Sequence, residues 1–146
     1  MLTRTLAPIL VTRQSLSIGT SRTFTSTRRA LKVYENVDAS QFQSRVVSPS
    51  GAEAETPVLV DFFAVWCQPC KLLSPTLKKV ASQPEVVGGK VVDLVTIDVD
   101  QHQQIAKHFN VSAMPTVVAM KNGKVLDKFV GMLPENKLIE FVQNLK

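Results

Sequence analysis

Apolar positions in this chain alternate between short continuous runs and segments with helical spacing. Residues 57–63 and 90–98 are nearly continuous apolar runs, the pattern of strands covered on both faces. Residues 32–34 form a further short strand candidate. Asp38, with Gln41 three positions on, has the form of a capping box, opening a helix to about Val47. A polar, turn-rich stretch with Pro49 and Gly51 follows over 48–56. From Cys67 to Val80 the spacing is helical, and Pro75 within it predicts a lost hydrogen bond and a kink. Pro84, Gly88 and Gly89 punctuate the exit.

A helix over 101–109 leads to Met114-Pro115. Strands over 116–120 and 125–130 are then joined by a hairpin at Asn122-Gly123, a strong two-residue turn signal. Pro134 opens a last helix over 135–145, with Leu138, Ile139, Phe141, Val142 and Leu145 on its inner face. The order β-α-β-α-β-α-β-β-α predicts an α/β domain, a mixed sheet flanked by helices.

Composition alters this picture mainly at the amino terminus. The formal charge is +5. Residues 1–30 hold Arg4, Arg13, Arg22, Arg28 and Arg29 and no acid, while the remaining 116 residues balance 12 basic against 12 acidic side chains. A neutral body argues against nucleic acid. No apolar run is long enough to span a bilayer, so no membrane partner is expected of the mature form. A Ser/Thr/Arg-rich, acid-free segment with Leu2, Leu6, Ile9, Leu10, Leu16 and Ile18 between its arginines matches a mitochondrial transit peptide, residues 1–31. Residues 22–31 resemble the two-step processing pattern of some matrix proteins, which would leave Lys32 as the mature start. Residues 32–146 are then the folded domain, with the mitochondrial matrix as its location.

The two cysteines, Cys67 and Cys70, stand two residues apart. Such a short loop restrains an unfolded chain little, so the pair reads as redox chemistry rather than a staple. Cys67 falls where a buried strand has ended and a helix begins. There, unpaired N–H groups and the helix dipole favour thiolate. Cys70 lies one turn inward, shielded by Cys67. Cys67 is therefore expected to attack a substrate disulfide and Cys70 to resolve the mixed disulfide. Pro69 costs little in a first turn. A zinc site of Cys67, Cys70, His102 and His108 has the wrong spacing for a finger, and no metal is expected.

Trp66-Cys67-Gln68-Pro69-Cys70-Lys71, with Asp61 six residues ahead of Cys67 and Met114-Pro115-Thr116 downstream, resembles the thioredoxin family, and the likeness runs from about Val33 to Lys146. Gly123 and Val130-Gly131 also fall where that family carries glycine. The resemblance implies a thioredoxin fold and a general protein-disulfide reductase. It implies no organic cofactor, recharging by an NADPH-dependent thioredoxin reductase, and clients such as peroxiredoxins and methionine sulfoxide reductases. It makes Asp61 a buried general base for Cys70, since desolvation raises a carboxyl pKa. It makes Pro115 a cis-proline beside the thiols, leaving the Met114 backbone to pair with an extended substrate and Trp66 as a flat rim. A monomer is expected.

Three positions depart from the family pattern. Gln68 replaces the usual glycine, and the Gln68-Pro69 dipeptide between the cysteines influences the reduction potential. Phe63 stands where many relatives have tryptophan. Leu94 is aligned where a lysine often neighbours the aspartate. Rival readings are a disulfide oxidase or isomerase, a glutaredoxin, and a redox-inert binding module. Gln68-Pro69 lacks the histidine of the more oxidising members, and Cys-Pro-Tyr-Cys of glutaredoxins is absent.

Overall fold

A computed structural model describes residues 32–146. The segment read as a transit peptide lies outside the described residues. Five strands form one sheet in the order β1-β3-β2-β4-β5: β1 Val33–Tyr34, β2 Val58–Phe63, β3 Asp93–Asp98, β4 Thr116–Lys121 and β5 Lys124–Val130. β1, β2 and β3 are parallel, whereas β4 and β5 run antiparallel to their neighbours. The sheet is mixed, as expected.

Alternation along β2 divides the core into two layers. Val58, Val60 and Phe62 face one way, with Val95 and Ile97 of β3. They pack against Phe42 of α1 (Ala39–Phe42) and Ala106 of α3 (Gln103–His108). Leu59 faces the other way with Leu94. It packs against Leu73 and Leu77 of α2 (Gln68–Ser82) and Leu138 and Val142 of α4 (Glu135–Asn144). Among the described residues, the two layers draw on side chains from Val37 to Leu145.

Several boundaries differ from the sequence reading. The Asp38–Gln41 capping box forms, with the Gln41 amide 2.8 Å from Asp38 Oδ1 and the Asp38 amide 3.2 Å from Gln41 Oε1. Beyond Phe42, however, the helix continues as a π-turn over Gln43–Val47. That wider turn keeps Phe42 and Val46 together against the sheet. β3 begins at Asp93 rather than 90. The Asp93 amide donates to the Pro57 carbonyl at 3.0 Å, but Pro57 has no N–H to extend the ladder. α3 is shorter than its predicted span, because Asp98 holds the preceding turn through the Asp100 amide and the Gln101 side chain. α2 starts at Gln68, with Cys67 as its cap.

The Asn122-Gly123 hairpin forms with φ of 49° and 72° at its two turn residues. Those left-handed angles favour asparagine and glycine. Gly123 is doubly constrained, since a Cβ there would lie 2.3 Å from the Val47 carbonyl oxygen.

Candidate active site

The chemistry gathers where β2 ends and α2 begins. Val58–Val60 carry the buried strand forward to Asp61, and the chain leaves the sheet at Ala64. The Cys67 amide donates to the Ala64 carbonyl at 3.0 Å, closing the turn into the helix. Cys67 caps α2, its Sγ accepting the Cys70 amide at 3.2 Å, with Pro69 in the first turn. Cys67 and Cys70 are joined as a disulfide with Cα atoms 5.4 Å apart. The helix thus places one sulfur at its N-terminal, electropositive end and the other one turn along.

Exposure does not separate the two cysteines as expected. Each is 3% exposed, so Cys70 is no more shielded than Cys67. In the disulfide both sulfurs sit among Ala64, Phe63, Val99 and Met114. What distinguishes them is the far side. Cys70, not Cys67, lines a cavity of about 530 Å³ whose wall also carries Asp61, Thr96, Ser74, Lys71 and Lys78.

Asp61 lies on the α2 face of β2 because it shares the alternation of Leu59. It is 2% exposed, and its Oδ1 has no hydrogen-bond partner. Burial pushes its carboxyl pKa from 3.8 up to about 7. The position across from it on β3 is Thr96; Leu94 pairs with Leu59 instead, which corrects the expected neighbour. The parallel register decides this, since a shift of two residues keeps the face but changes the partner. Thr96 Oγ1 accepts the Asn36 amide at 2.7 Å and presents no positive charge.

The Met114–Pro115 peptide bond is cis, and Met114 packs on the cysteine cluster. Pro115 is buried, and its carbonyl accepts the Gly131 amide at 2.7 Å, tying this loop to the end of β5. Trp66 is 65% exposed, with its Nε1 donating to Asp100 Oδ2 at 2.9 Å. Asp100 escaped the sequence reading, because no local spacing links positions 34 apart. Val65 beside Trp66 is equally exposed and apolar. Gln68 and Pro69 are both exposed at the helix start. Pro75 lies inside α2 as predicted and lines the cavity. His102 is the residue before α3 and His108 its last residue, and among the described residues no group of three or more histidine, cysteine or acidic side chains is placed to hold a metal.

A disulfide at a helix N-terminus, with a buried carboxyl behind it and a cis-proline loop beside it, defines a dithiol–disulfide oxidoreductase. Similarity to known proteins narrows this. The thioredoxin family model matches residues 33–144. The mitochondrial thioredoxins of Rattus norvegicus and Bos taurus are each 45% identical over 125 residues, covering 86% of this chain and 70% of their own length. A thioredoxin of Haemophilus influenzae is 36% identical over 107 residues, covering 73% of this chain and 92% of its own. Among solved structures, a mutant thioredoxin from Halobacterium salinarum superposes with a TM-score of 0.65 at 26% identity, covering 80% of this chain and 92% of that one. The chain belongs to the thioredoxin family, whose members are protein-disulfide oxidoreductases.

Proposed function

We propose that this protein reduces disulfides of client proteins in the mitochondrial matrix, cycling between the Cys67–Cys70 dithiol and disulfide. The observation that carries this reading is the Cys67–Cys70 pair capping α2, with Asp61 and Cys70 on one cavity wall. The Cys67 thiolate attacks a client sulfur, and a mixed disulfide forms as the first client thiolate leaves. Cys70 gives its proton to Asp61 and attacks Cys67 Sγ. The Cys67–Cys70 bond forms, and the second client thiolate departs and is protonated. A carboxyl titrating at about 7 is partly ionised at neutral pH, as a general base for a thiol requires.

Trp66, Met114 and Pro115 form the client-binding rim, where the Met114 backbone pairs with an extended segment around the target disulfide. Gln68 and Pro69 tune the reduction potential. The dithiol itself carries the two electrons, so the cycle calls for neither organic cofactor nor metal. Thioredoxin reductase returns the disulfide to dithiol at the expense of NADPH, and peroxiredoxins and methionine sulfoxide reductases are the client types. The protein works as a monomer. Mitochondrial placement is supported by the named mitochondrial relatives and by the arginine-rich, acid-free residues 1–31, which are removed on import.

The test is insulin disulfide reduction by residues 32–146 with NADPH and thioredoxin reductase, beside a Cys70→Ser variant. Rapid turnover in the parent and a trapped mixed disulfide at Cys67 in the variant are expected. A folded parent without turnover would overturn the reductase reading in favour of an oxidase, an isomerase or a binding module.

A further inference from the structure

The cavity behind the disulfide reaches one of its two cysteines. Cys70 lines that space of about 530 Å³, and Cys67 does not. Phe63, Ala64, Val65 and Pro75 give the wall an apolar character. Asp61 lies on the same wall, 2% exposed, and its Oδ1 has no hydrogen-bond partner among the described residues. A buried acceptor left open beside a space of small-molecule size suits a donor that enters from solvent.

The two cysteines also differ as leaving groups. Cys67 caps α2, and its Sγ accepts the Cys70 amide at 3.2 Å, so negative charge is stabilised on that sulfur. In thiol–disulfide exchange the sulfur of lower thiol pKa leaves faster. Opening this disulfide by attack on Cys70, with Cys67 expelled, is therefore the chemically favoured direction for a nucleophile that can reach it.

We propose that the cavity is a second entrance to the disulfide, where small uncharged thiols attack Cys70 while Asp61 takes their proton. The thiol R–SH gives its proton to the Asp61 carboxylate, and its sulfur bonds to Cys70 Sγ. The Cys67–Cys70 bond breaks, and Cys67 leaves with the electron pair as a thiolate. The products are an R–S–S–Cys70 mixed disulfide, the Cys67 thiolate and protonated Asp61. The small thiol is oxidised and the protein disulfide reduced. Uncharged thiols are selected, because an ionic group would lose its water against the apolar wall. The other charged groups of the cavity are Lys71 and the Lys78–Glu35 ion pair. This route goes beyond the client cycle proposed above. It shares the disulfide with that cycle, requires neither client nor thioredoxin reductase, and exchanges the roles of the two cysteines.

The oxidised full-length chain is mixed with 2-mercaptoethanol, quenched in acid at increasing times, alkylated and sequenced by tandem mass spectrometry. Extrapolated to zero time, the mercaptoethanol adduct is expected on Cys70 and the alkyl group on Cys67, in about tenfold excess over the reverse pattern. Adducts chiefly on Cys67, or divided evenly, overturn the proposal. Asp61→Asn should slow adduct formation about tenfold or more, and an unchanged rate overturns the proposal by removing its proton acceptor. Ser74→Phe puts a ring into the cavity and should also slow it; an unchanged rate overturns the entrance. Should either variant not fold, the mapping on the parent chain decides. Insulin reduction with NADPH and thioredoxin reductase reports separately on the client cycle. Cys70 adducts without insulin turnover would support the entrance and overturn the client reading alone, and turnover with Cys67 adducts would do the reverse.

Discussion

The two faces of β2 are built to different standards. On one face Val58, Val60 and Phe62 sit in a buried apolar layer with α1 and α3. On the other, Leu59 continues the apolar pattern, but the next residue on that face is a buried carboxyl beside a cavity of about 530 Å³. The first face holds the sheet together. The second gives up packing and solvation energy at a buried carboxyl that lines the same cavity as Cys70. One strand thus separates stability from chemistry by alternation alone, and each face can be attacked without the other.

Cutting the chemical face at its centre has the largest expected effect. Cys67→Ser or Cys70→Ser should lower client-disulfide turnover by about a thousandfold or more, leaving the fold intact by circular dichroism. Retention of substantial turnover by either variant would break the assignment of roles.

On the opposite face, Phe62→Ala should cost about 3–5 kcal/mol of stability in a denaturant titration, since it empties a fully buried site beside Phe109. Turnover per folded molecule should hold. A fall in activity without loss of stability would show that the faces are not independent.

Asp61 sharpens the contrast through pH. Its folded pKa, about 7, is above the ordinary 3.8. The folded state therefore holds the proton more tightly, and stability should fall as pH rises from about 4 through 7. Asp61→Asn removes that penalty. The variant should gain on the order of 4 kcal/mol above pH 7 and nothing below pH 3.8. Turnover should drop about tenfold to a hundredfold. A parent whose stability is flat across this range would contradict the buried carboxyl.

Gly123→Ala tests a constraint distant from both chemistries. Its φ of 72° and the 2.3 Å approach to the Val47 carbonyl should together cost roughly 2–3 kcal/mol, read as a lower denaturation midpoint with turnover unchanged. Asp100→Ala should act least. Freeing the exposed Trp66 indole should cost under about 1 kcal/mol and raise KM for protein substrates severalfold at constant kcat. An unchanged KM would leave Asp100 without a part in client binding.

The strands, the hairpin, the capping box and the sulfur pair were all legible in local spacing. Apolar runs, an Asn-Gly turn and a Cys-x-x-Cys at a helix start each declare themselves within a few residues. The place of Asp61 was legible only through family resemblance, since an acid in an apolar strand reads equally well as an exposed end. Its neighbour was misread as Leu94. Asp100 was not seen at all.

Local side-chain pattern by itself determined which segments become strands and helices, and which residues can carry redox chemistry. Periodicity and backbone preference act over one or two turns, and a short stretch contains them entirely. Tertiary structure alone decided that Thr96 faces Asp61, that the carboxyl lines the same cavity as Cys70, and that Asp100 anchors Trp66. Those are relations between distant segments. They depend on strand register and on how α2 settles over the sheet, and a displacement of two residues along one strand changes them while leaving every local pattern the same.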